Sequence, residues 1–253
     1  MKYSGHESFS IRKNWLQKGL LKFPSFQKTG KEHELEIMDE LGLGRNMVKS
    51  LRYWLKATGL VDDGAKKNQF ELSTLGNIIK DHDPYIQENG TLCILHYNLA
   101  TNKENATSWY FLFNEFNMTE FSQEDFCRAL EKWDEMNSEK KAALSAFQKD
   151  FDCIRHTYIL RAKDFLTDED PESNMSCPFS ALRLLTQNDK GELKKNVPLK
   201  NTIPSLILYA VILKMIEKSR DAQKEIKLSA LLNEKNSPGK IFNMDSVLLM
   251  SLL

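Results

Sequence analysis

The stretch Leu41-Gly-Leu-Gly-Arg-Asn-Met-Val-Lys-Ser-Leu-Arg-Tyr-Trp-Leu-Lys-Ala-Thr-Gly-Leu-Val61 holds Arg45, Lys49, Arg52 and Lys56 but no acid, and its spacing leaves few folds open. At about 100° per residue the four cations fall on one narrow stripe of a helix from Arg45 to about Thr58. Met47, Val48, Leu51, Trp54 and Leu55 fall on a separate, broader apolar face, so one side packs and the other is offered to a partner. Gly42 and Gly44 suit a tight turn before the helix, and Gly59 is placed to end it.

The neighbours extend the pattern. Lys31 to Leu41 predicts a preceding helix with Leu35, Ile37, Met38 and Leu41 inward. Its acids Glu32, Glu34, Glu36, Asp39 and Glu40 suit a supporting role and not contact with a phosphate backbone. After Gly59, two short apolar segments joined by a polar, Gly-containing loop predict a β-hairpin, whose tip carries Lys66, Lys67, Asn68 and Gln69. Ser73 then caps a helix with Leu75, Ile78 and Ile79 turned inward. The order helix, turn, helix, hairpin, helix is that of a winged helix-turn-helix, whose second helix enters a DNA major groove. That reading assigns double-stranded DNA to Arg45, Asn46, Lys49, Arg52, Tyr53 and Lys56 on the helix and to Lys66 and Lys67 on the wing. Basic stripes are also common as plain solvated faces.

Charge agrees with this placement. The chain has 253 residues and no net charge, but residues 1–80 hold 14 Lys and Arg against 9 Asp and Glu. An excess of five is modest, so firm binding would call for a homodimer or a partner complex. No apolar targeting segment is visible near Met1. The most apolar run, from Ile203 to Ile216, is interrupted by Pro204 and Lys214 and is too short to span a bilayer, so a cytoplasmic protein without membrane contact is expected.

The rest reads as mainly α. Residues 1–85 form an N-terminal arm and winged helix, 86–165 a helical core containing the aromatic run Thr107 to Phe116, and 180–253 a C-terminal helical region with a faint second winged-helix-like order. A Pro-rich, polar junction separates the last two. Within the last region Ser237 to Met244 reads as a turn and a strand. Two C-x-x-H pairs, Cys93 with His96 and Cys153 with His156, could together offer zinc two thiolates and two imidazoles, but their apolar helical setting favours core packing. No metal or cofactor is expected. The acidic run Asp168 to Glu172 reads as a solvated loop. There is no phosphate loop, dinucleotide fingerprint, nucleophile elbow or H-E-x-x-H motif, so no catalytic residue is assigned.

Four signatures in order then suggest a family: Gly5-His-Glu-Ser-Phe with Trp15-Leu-Gln-Lys-Gly19; Leu41-Gly-Leu-Gly-Arg-Asn-Met-Val-Lys-Ser-Leu-Arg-Tyr-Trp54; Asp83-Pro-Tyr through Leu95-His-Tyr-Asn-Leu-Ala100; and Trp109-Tyr-Phe. The chain resembles an uncharacterised bacterial family whose members often sit beside DNA phosphorothioation genes and phosphoadenosine-phosphosulfate-reductase-like proteins in phage-defence islands. Ser237 to Phe242 resembles its C-terminal signature. The resemblance implies a DNA-associated role in modification or restriction and no particular activity. A non-catalytic module that scaffolds proteins of such a complex is the alternative. In the first signature His6, Glu7 and Arg12 could form a ligand-facing cluster, the basis of an enzyme reading. The favoured arrangement is a buried Glu7–Arg12 pair that pins the N-terminus.

Overall fold

Helix α1 (Trp15–Leu21) turns its apolar side inward through Trp15, Leu16 and Leu20, and Gly19 lets it lie directly on Leu55 of the third helix. The computed structural model describes residues 1–23, 33–65, 69–159, 177–218 and 225–253. Helix α2 (Glu34–Leu41) ends at Gly42, whose φ of 62° lets the Leu43 amide donate back to the Met38 carbonyl at 3.0 Å. Helix α3 (Arg45–Ala57) follows after three residues. Strands β1 (Val61–Asp63) and β2 (Phe70–Leu72) pair antiparallel with Val61 opposite Leu72, and Ser73 caps helix α4 (Thr74–His82) through the Gly76 amide. Ile37 and Leu41 of α2 and Ile79 of α4 are buried as expected, but Leu35 and Ile78 are exposed.

The chain is mainly helical. Helix α5 (Asn89–Thr101) runs through the middle of the core. Helix α6 (Thr107–Tyr110) widens into a π turn over Phe111–Glu115, and the aromatic run there is buried. Helix α7 (Gln123–Asn137) starts in a capping box between Ser122 and Asp125. Helix α8 (Leu144–Tyr158) packs along it. Where the Pro-rich junction leads into the region expected to be helical from residue 180, the chain forms a 3-10 turn (Pro178–Leu182) and strands β4 (Leu185–Gln187) and β5 (Leu193–Lys195). They join β3 (Glu120–Phe121) in a sheet of order β3-β5-β4.

Helices α9 (Ser205–Lys218), α10 (Leu228–Asn233), α11 (Pro238–Ile241) and α12 (Ser246–Leu252) close the chain. The strand read at Ser237 to Met244 is therefore a short helix: Ser237 accepts from the Lys240 amide, and Pro238 sits where its missing N–H costs nothing. Buried residues from Ile11 to Leu249 belong to one apolar cluster. Among the described residues no helix is long and apolar enough to cross a membrane. The acidic run Asp168 to Glu172 lies outside them.

Gly76 fixes how α4 meets the hairpin. A Cβ there would lie 2.1 Å from the Leu60 carbonyl oxygen, which already accepts from the Ser73 amide at 3.1 Å. In an open helix Gly→Ala gains about 1 kcal/mol. Here Gly76→Ala is expected to destabilise by roughly 1–3 kcal/mol, because backbone must move. The sign of the change in urea unfolding decides between the two.

Candidate nucleic-acid interface

The inner face of α3 is anchored on three sides. Trp54 is fully buried, and its indole N–H donates to the Phe9 carbonyl at 2.9 Å, as does the Ser50 hydroxyl at 3.3 Å. The N-terminal arm is thereby tied to the helix. At the other end, the Asn102 and Asn98 amides donate to the Ala57 and Thr58 carbonyls at 3.2 and 3.1 Å, meeting acceptors that a helix end leaves open. Gly59, at φ 74°, turns the chain toward the hairpin.

The cationic stripe is divided by its neighbours. Arg45, Asn46 and Lys49 are exposed in the first half of α3. Arg45 Nε lies 2.8 Å from Glu34 of α2, yet its side chain is still 62% accessible. Arg52 is half-buried. Desolvation pulls its pKa below the ordinary arginine value, and the charge of Glu34 opposes that. Lys56 donates to both oxygens of Asp63 on β1 at 2.7 Å, which ties the C-terminal end of α3 to the hairpin.

Tyr53 leaves the predicted interface altogether. It is 7% exposed, its ring packs edge-on against Trp54, and Gly5 and Lys2 of the arm cover it, with Lys2 Nζ 5.2 Å from the ring centre. Lys66 and Lys67 lie outside the described residues.

The first signature is organised differently from the favoured reading. Glu7 is exposed, and the Arg12 guanidinium stands over the rings of Phe9 and Trp15, 5.7 and 5.4 Å from their centres, so the Glu7–Arg12 pair does not form. His6 does the pinning instead. Fully buried and stacked on Trp54, it donates from Nε2 to Asp150 of α8 at 2.8 Å. The same carboxylate accepts from the Ser4 amide at 2.8 Å and the Ser108 hydroxyl at 2.5 Å, while Tyr3 donates to Asp134 at 2.7 Å. Two buried acids thus hold the arm, and sequence reading missed both. The available signal was an acid on an apolar face: Asp150 shares its side of α8 with Phe147, Phe151 and Ile154.

His96 is occupied on both nitrogens, by Tyr158 Oη at 2.8 Å and the Ile241 carbonyl at 2.9 Å, and the Cys93 thiol donates to the Thr202 carbonyl at 3.5 Å. Cys93 and His96 therefore serve the core. Among the described residues no group of three or more His, Cys, Asp or Glu could hold a metal ion.

The fold has counterparts among solved structures. It superposes on the SspB crystal structure with a TM-score of 0.83 and on the magnesium ion-bound SspB crystal structure with 0.81. In each case the sequences are 25% identical, and the match covers 100% of this chain and 76% of that one. No curated protein matches the chain. Residues 3–253 match the family described as protein of unknown function DUF4007, and the chain belongs to that family.

Proposed function

We propose that residues 1–85 form a winged helix that binds duplex DNA, and that the protein is an accessory or regulatory component of a DNA-modification or restriction system of the phosphorothioation type. The observation that carries the first half is the placement of Arg45, Asn46 and Lys49. All three are exposed at the start of α3, and the start of a recognition helix is the part that meets base edges. Arginine and lysine suit guanine or phosphate oxygens, and asparagine suits adenine. Glu34 competes with DNA for Arg45, and Asp63 competes for Lys56, so binding is moderate and strongly salt-dependent. The second half rests on the resemblance of the four signatures to a family found beside such genes.

Titration of the full chain with random-sequence duplex DNA at two salt concentrations tests the reading. The double variant Arg45→Glu with Lys49→Glu is expected to weaken binding by roughly 10- to 100-fold and to flatten the salt slope by about two units, one for each phosphate that is no longer neutralised. No binding at low salt, or an unchanged affinity in the variant, would refute it.

A second reading, a module that scaffolds the other proteins of such a complex, has one feature in its favour. Leu206, Tyr209 and Leu213 of α9 are 82, 60 and 43% exposed at helical spacing, an apolar stripe that no described residue covers.

A further inference from the structure

Away from α3, three distant segments close around a cleft of about 480 Å³: the end of the arm at residues 12–17, the α4–α5 loop at 85–87, and the turn at 177–183. This is the size of a small-molecule site, and far more than inorganic phosphate fills. Its charge is one-sided. Arg12, Lys13 and Arg183 line it, and no acid does among the described residues.

These cations are not consumed by the fold. Lys13 and Arg183 are exposed, and neither takes part in an ion pair among the described residues. The Arg12 guanidinium stands 5.7 and 5.4 Å from the ring centres of Phe9 and Trp15 and makes no ion pair among the described residues, so its N–H groups can bond an anion. Three like charges beside apolar walls focus a positive potential that draws in anions. At the rim, Tyr85 is 59% exposed, although an aromatic ring gains by burial. A flat ring next to anion-binding groups suits an aromatic base attached to a phosphate.

The backbone around the cleft is strained. Each segment contributes one non-glycine residue in the left-handed region: Asn14 at φ 67°, Ile86 at 53° and Arg183 at 52°. Asparagine tolerates this, but β-branched isoleucine does not, and such strain collects at ligand sites. The surroundings enforce it. Asp83 accepts from the Gln87 and Glu88 amides at 3.0 and 3.1 Å, and Ser180 accepts from the Arg183 amide at 3.1 Å while its hydroxyl donates to the Cys177 carbonyl at 2.7 Å.

We infer that this cleft binds a nucleoside phosphate, with Arg12, Lys13 and Arg183 on the phosphate and Tyr85 against the base. The ligand is either a free nucleotide or the phosphorylated end of a strand, and the site does not depend on DNA binding by α3.

Calorimetric titration of the full chain with dAMP, deoxyadenosine and a 5′-phosphorylated single-stranded oligonucleotide tests the inference. Binding of dAMP or the oligonucleotide is expected, with deoxyadenosine at least about tenfold weaker than dAMP, the worth of a charge-assisted hydrogen bond. Tighter binding of dAMP identifies a free nucleotide and tighter binding of the oligonucleotide a strand end; both support the site. Lys13→Glu with Arg183→Gln should lower the affinity of the tighter ligand at least about tenfold, and Tyr85→Ala should weaken it while the thermal unfolding midpoint holds. The inference is overturned if neither phosphorylated ligand binds. It is equally overturned if the double variant, shown folded by circular dichroism, binds like the parent, or if binding is lost instead on Lys49→Glu.

Discussion

Asp150→Ala is expected to cost about 3–5 kcal/mol of stability and to release the N-terminal arm. Asp150 is 1% exposed, and its carboxylate accepts from the Ser4 amide, His6 Nε2 and the Ser108 hydroxyl. Alanine leaves three donors facing a site that water does not reach, at about 1–3 kcal/mol for each that stays unpaired. Asp150→Asn keeps one acceptor oxygen and is expected to lose less. Urea unfolding gives the stability, and hydrogen exchange at the Ser4 amide reports the arm. The arm also carries the Phe9 carbonyl that receives Trp54 and Ser50, so the DNA binding proposed for α3 should fall although no exposed cation has changed. A loss below about 1 kcal/mol would mean that Asp150 does not anchor the arm.

What could be read from the sequence was local. The course of α3 follows from its apolar period, and its two ends follow from Gly42 and Gly59. Ser73 announced the start of α4 because a cap is written within four residues. Contacts between elements were not legible. Tyr53 sits on the helix at the border between stripe and core, and its burial is decided by Lys2 and Gly5, some fifty residues earlier. The pairs Glu34–Arg45 and Lys56–Asp63 cross from one element to another and leave no i,i+4 trace. The β3-β5-β4 sheet has strands of two or three residues, too short for alternation to show, and its first strand lies some seventy residues before its partner. His6 likewise found its acid on α8, 144 residues away, and not at Glu7.

The other large effect is expected at His96, and it depends on pH. The Ile241 carbonyl can only accept, so Nε2 carries the proton and Nδ1 accepts from the Tyr158 hydroxyl. The ring is neutral and fully buried, with Phe113, Tyr158, Phe179 and Phe242 around it. Burial pulls its pKa down from 6.5 to about 4, against a smaller opposing effect of the Ile241 carbonyl. Between those values the unfolded chain takes up a proton that the folded chain refuses. The contribution is therefore full above pH 6.5 and is lost as pH falls toward 4, by roughly 3 kcal/mol in all. His96→Ala at pH 7 should cost about 3–5 kcal/mol, since it opens a cavity and strands both Tyr158 and Ile241. His96→Gln retains a donor and an acceptor but cannot titrate, so its unfolding free energy should fall less steeply than the parent's between pH 6.5 and 4.5. Equal slopes in the two proteins would show that the acid sensitivity of the fold lies elsewhere. A shallower slope in the glutamine variant would place it at this ring, where α5, α8 and α11 meet.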